Sequence, residues 1–160
     1  MSNSSEHELR PADKLVNRFQ QALLALALAS GAFLVAELAA LRHWNATEQL
    51  IPFAVLAVMV VSALVLAFVR GRFSVIQARL VALITIGASL YGLFEHVSAN
   101  LDTGVLNSRY DWAAMAGWEH LWLAISGAVG GSPALAPLAL GLAGVLLGLA
   151  TMGRTTRKTA

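Results

Sequence analysis

Two stretches of twenty residues, Leu50 to Val69 and Pro133 to Met152, contain no charged side chain. A helix rises 1.5 Å per residue, so about 20 apolar residues cross the roughly 30 Å of hydrocarbon in a bilayer. Ala22 to Leu41 matches them in length and carries a single carboxylate, Glu37. Leu80 to Phe94 is shorter. It reaches crossing length when Glu95 and His96 lie at the membrane surface and Val97 to Leu101 continue the helix. A backbone in hydrocarbon must satisfy its own hydrogen bonds, which selects helices for runs of this kind. The expected fold is all-α: an integral membrane four-helix bundle with spans at about 20–42, 50–69, 79–100 and 133–152.

Charge gives these spans a direction. With four crossings, one side receives Arg10, Lys14, Arg18, Arg70, Arg72, Arg79, Arg154, Arg157 and Lys158, nine of the eleven basic residues. Cationic segments stay cytoplasmic, so both termini are expected inside. The layout is then a cytoplasmic tail at 1–19, a membrane domain at 20–153 and a basic tail at 154–160. "ALALAS" at 25–30 resembles a signal-cleavage region, but the apolar run continues to Leu41, which favours an uncleaved first span over a removed one. The expected location is the bacterial inner membrane, with the lipid bilayer as the main partner. The sequence pI is near 9.5, yet the cations are scattered over three membrane edges rather than gathered with aromatics. They mark topology and give no nucleic-acid surface. Cysteine is absent, which excludes disulfides, thiolate metal sites and thioether-linked haem.

The other side differs in kind. Six carboxylates, Glu37, Glu48, Glu95, Asp102, Asp111 and Glu119, face only Arg42 and Arg109 there. His43, His96 and His120 join them, and so do all four tryptophans, whose rings favour the headgroup layer. Residues 110–127 are expected to form an additional interfacial helix between the third and fourth spans. A full crossing there would bury Glu119 and His120 in hydrocarbon. Gly130, Gly131 and Pro133 then break the chain before the last span. Within that span Gly141, Gly144 and Gly148 sit three and four apart, a face on which a helix can approach closely. Its partner is either an internal helix, another membrane protein or a second copy.

Three segments each deliver a carboxylate and an imidazole to the outer side: Glu37 with His43, Glu95 with His96, and Glu119 with His120. Such nitrogen and oxygen donors suit a divalent metal, zinc, iron, manganese or copper. Adjacent helical residues diverge by about 100°, so one member of each pair is expected to ligate while the other orients a neighbour. Tyr91 and Glu95 share a helix face, as do His96 and Asn100. Glu37 stands apart because it lies inside an apolar run, where ionisable groups usually face a bundle interior or polar cavity. Nothing reads as a nucleophile or a phosphate loop, so no catalytic residue is assigned.

"GLFEHVSANLD" at the end of the third span, "GGSPALAPLALGLAGVLLGLA" opening the fourth and "AELAALRHW" closing the first carry a resemblance. Over roughly residues 32–150 the chain resembles a group of small four-helix bacterial inner-membrane proteins with no assigned activity. The resemblance implies fold and location. In that group a carboxylate often precedes the position of His43, where this chain has Arg42. The expected function is a non-enzymatic membrane protein or accessory subunit whose acidic outer-face site binds a divalent metal. The alternatives are a redox or transport component, with haem b, a quinone or a proton relay through Glu37 and Glu95, and a purely structural subunit.

Overall fold

The computed structural model describes residues 11–133 and 136–154. Arg10, Arg157, Lys158 and His7 lie outside them, as do Ala134 and Leu135 of the expected last span. The described residues are all helical or turn, in five α-helices: α1 (Pro11–Ala40), α2 (Ile51–Phe68), α3 (Arg72–Gly104), α4 (Gly117–Ser126) and α5 (Pro137–Ala150). A single 3₁₀ turn, Glu48–Leu50, leads into α2. Three helices, α1, α2 and α3, are long and apolar enough to cross a membrane.

Helix α5 has 14 residues, about 21 Å at 1.5 Å each. Its late start follows from proline chemistry. A helix running from Pro133 would need the residue at 137 to donate its N–H to the Pro133 carbonyl, and Pro137 has none. The chain turns instead, Ala136 N–H donating to Pro133 O at 2.9 Å, and the helix opens at Pro137.

The helices α1 and α3 lie diagonally opposite each other, with α2 and α5 packed between them on either side. Their contact faces are leucine and alanine: Leu23, Ala27 and Leu34 of α1, Leu56, Met59 and Ala63 of α2, Ala78 and Ala82 of α3, Leu140, Ala143 and Leu147 of α5. The glycines of α5 serve this interior. A Cβ at Gly141 would lie 2.6 Å from Ser89 Oγ, and one at Gly144 3.0 Å from the Ala82 carbonyl and from Thr85. The small-residue face is therefore occupied by α3.

Outward, the same helices present large apolar side chains. Phe19, Leu26 and Phe33 recur every seven residues along α1, and Phe73, Leu80, Leu83 and Phe94 project from α3, all more than half exposed. A water-soluble domain rarely leaves a contiguous apolar surface of this extent. A lipid-facing helix needs one.

Neighbouring helices run antiparallel, and hydrogen bonds at one end define that end. Gln20 of α1 donates to the Met152 carbonyl beyond α5, Arg154 donates to Leu66 O at the end of α2, and Arg79 Nε donates to Thr151 Oγ1 at 3.1 Å. Along α3 the Arg79–Glu95 spacing of sixteen residues is about 24 Å. Beyond His96 the helix continues for two turns, and α4 packs on that extension.

Candidate functional site

The opposite end is built by three chain reversals. α1 stops in a Schellman motif: His43 N–H donates to Leu38 O at 2.9 Å and Arg42 N–H to Ala39 O at 3.0 Å. The residue at the left-handed position is Arg42, φ 51°, where glycine is usual. This turn swings His43 off the helix and across to α3, where its ring centre lies 6.4 Å from that of His96. The 3₁₀ turn brings Glu48 and Gln49 to the same place, with Gln49 Oε1 accepting the Asn45 N–H at 2.8 Å.

The third reversal precedes α5. The Pro133 carbonyl, which takes the Ala136 N–H, has a second lone pair and also accepts from His96 Nδ1 at 3.0 Å. A carbonyl can only accept, so a proton sits on Nδ1, and Nε2 is the ring nitrogen left for another group. Asn100, one turn beyond His96 and fully buried, secures the segment. Its Nδ2 donates to Ser132 O at 2.8 Å and Ala124 O at 2.9 Å, while its Oδ1 accepts from Ser132 N–H at 3.1 Å. Gly130 backs directly onto this amide at φ 74°, and a Cβ there would meet Asn100 Oδ1.

Between these elements lies a cavity of about 640 Å³. Glu37, His43, Glu48, Glu95 and His96 line it together with Tyr91 and Gln49, and Leu34, Leu38, Leu56, Ala88 and Leu140 form its apolar wall. No lysine or arginine is among the lining residues. His43, in the loop after α1, has its pKa lowered, first by burial and then by the neighbouring His96. Its ring is held neutral near pH 7.

Two of the three acid–imidazole pairs thus share one pocket, and the third does not. Glu119 accepts the Ala116 N–H at 2.7 Å, closing the first turn of α4. His120 donates from Nε2 to Trp112 O at 2.8 Å and stacks flat on the Trp112 ring, centres 4.0 Å apart. Trp112 in turn covers Gly104, where a Cβ would collide with its ring. These contacts fold residues 105–116 into turns, so α4 begins at Gly117. Among the described residues no three histidine, aspartate or glutamate side chains stand close enough together to hold a metal ion.

Glu48 and Tyr91 also belong to the pocket. The signal for Glu48 was its place immediately before a span, on the side rich in carboxylates. That for Tyr91 was its position one turn before Glu95, with which its hydroxyl interacts. No protein-family model, curated protein or solved structure matches the chain.

Proposed function

We propose that this chain is a multi-pass membrane protein, non-enzymatic in itself, that binds a cation in the pocket shared by Glu37, His43, Glu48, Glu95 and His96. The observation carrying this is the lining itself: three carboxylates, two imidazoles and no lysine or arginine around one cavity. Charges of one sign on low-dielectric walls concentrate the opposite sign. In this reading α5 is a short fourth crossing beside three long ones, making a four-helix bundle of the kind found in small bacterial inner-membrane proteins. The basic end and both termini are cytoplasmic, and α4 lies at the outer surface, where Trp118 and Trp122 are exposed. A divalent metal is a second occupant, favoured by the adjacent rings of His43 and His96.

Thermal unfolding of the purified protein tests the binding. Zinc, manganese or an organic ammonium ion should raise the Tm of the wild type and leave a Glu37→Gln/Glu95→Gln variant unmoved. A Tm insensitive to every cation ends the reading. Orientation is tested separately, because the chain has no cysteine of its own. Asn107→Cys should react with an impermeant maleimide in intact cells, and Arg70→Cys only after lysis. The reverse pattern would invert the topology.

A further inference from the structure

The size and walls of the pocket say more about its occupant than its charge does. An ion with six waters fills on the order of 200 Å³, at about 30 Å³ per water. The cavity is about 640 Å³, within the range of sites that enclose whole organic molecules. Its carboxylates come from three separate elements, Glu37 on α1, Glu48 on the 3₁₀ turn and Glu95 on α3, and they do not converge into a cluster that would grip a point ion. Opposite them the wall is hydrocarbon. Leu38, Ala88 and Pro137 line the cavity and keep part of their surface accessible, while Leu34, Leu56 and Leu140, which also border it, are buried. Dispersed negative charge above an apolar floor is the complement of a cation whose charge is attached to a greasy body.

We propose that the pocket holds one organic cation with an apolar body, an amine or quaternary ammonium amphiphile, its charge among Glu37, Glu48 and Glu95 and its hydrocarbon against Leu38, Ala88 and Pro137. The inference rests on the cation-binding reading above and narrows it. The Nδ1 proton of His96 is committed to Pro133 O, which leaves Nε2 as the ring nitrogen available to the cavity. Tyr91 adds an aromatic face at the rim, a surface to which ammonium groups are drawn.

Two probes of matched size and opposite charge decide the matter, tetraphenylphosphonium and tetraphenylborate, measured by equilibrium dialysis against the full chain in a non-ionic detergent. The wild type should retain one phosphonium per chain and no borate. Glu37→Gln and Glu95→Gln should each weaken retention by roughly tenfold, about the effect of one charge-assisted contact. Asp102→Asn, which removes a carboxylate outside the pocket, should leave it unchanged. Ala88→Phe keeps every charge and fills the cavity, and should also expel the phosphonium. Equal retention of borate, or retention indifferent to Glu37→Gln, Glu95→Gln and Ala88→Phe, overturns the proposal. Zinc bound in a Glu37-dependent way with no phosphonium bound would overturn the organic class and keep the cation site. Failure of both probes would remove both.

Discussion

The two ends of the helix array are polar in opposite ways. At the basic end, polar side chains are spent on the fold. Gln20 and Arg154 reach backbone carbonyls beyond the ends of α5 and α2, and Arg79 reaches the Thr151 hydroxyl. At the acidic end the backbone reversals are secured by other means, by Asn100, by the Schellman turn and by Trp112 on His120. Among the described residues, the side-chain carboxylates of Glu37 and Glu48 accept no hydrogen bond from the protein; they line a cavity instead. A helix end needs its carbonyls satisfied, and the basic end does that with the side chains of Gln20 and Arg154. The acidic end secures its turns with Asn100, Trp112 and Glu119 and leaves Glu37 and Glu48 outside that work. Stability should therefore respond to polar substitutions at one end and hardly at all to the pocket carboxylates at the other.

The largest effect should come from the residue that frees those carboxylates from structural duty. Asn100→Leu removes three hydrogen bonds at a fully buried position and leaves two carbonyls and an N–H without partners. Each such group costs about 1–3 kcal/mol, so the loss should exceed about 3 kcal/mol. The region around Ser132 and α4 should loosen first, as amide exchange would show. A Tm within a degree or two of the wild type would mean that this end is held by something else.

Next is Gly144→Leu, which drives a side chain into Ala82 O and Thr85 and should cost about 3 kcal/mol as overpacking between α3 and α5. The experiment also bears on the glycine face. If that face served an external partner, the variant would stay folded and lose only the partner. Loss of the fold itself agrees with α3 as its occupant.

A direct comparison of the two ends follows at smaller scale. Gln20→Leu should cost about 1 kcal/mol, the worth of one buried hydrogen bond. Glu37→Gln should fall within about 0.5 kcal/mol of the wild type, while abolishing cation-dependent stabilisation. Equal losses at both positions would erase the distinction between a structural and a functional end.

What could be read in the sequence follows the same division. Charge-free runs are read residue by residue, so Ala22–Ala40, Leu50–Phe68 and Leu80–Phe94 all lie within long apolar helices. Antiparallel packing then brings Glu37, His43, Glu95 and His96 to one end, because each stands close to the same end of its span. Side-chain pairing over distance is not written locally. "WEHLW" looks like "LFEHV", yet Glu119 and His120 are consumed by Ala116 and Trp112, and that depends on Gly104 admitting the tryptophan from the end of α3. Apolar composition carried the run from Pro133 to Met152 as one span. The helix starts four residues later because a missing N–H at Pro137 outranks hydropathy. The Pro133 carbonyl that takes the Ala136 N–H in that turn is also the one that orients His96, so the late helix start and the ordered imidazole meet at one atom.

The smallest expected effect is the dependence on pH through His43, and its sign follows from the direction of its shift. The pKa of the ring in the folded chain lies below its ordinary 6.5 because burial and His96 disfavour the charged form. Between the folded value and 6.5, the unfolded chain binds more protons than the folded one. Acidification through that window must therefore favour unfolding. The contribution is fully present above pH 6.5 and is lost as the pH falls through the folded value. The groups around the ring act together here: His96 and Glu95 from α3, Glu37 from α1, Glu48 from the turn, and no charged side chain from the lining residues of α5. His43→Gln removes the titration while keeping a polar side chain, so its Tm should fall less steeply than that of the wild type as the buffer goes from pH 7.5 to 5.5. The same acidification places a positive ring beside any bound cation and should weaken its retention more in the wild type than in His43→Gln. Parallel pH profiles for the two proteins would show that the imidazole lies outside the pocket's electrostatics, and would leave the carboxylates alone to distinguish this end from the other.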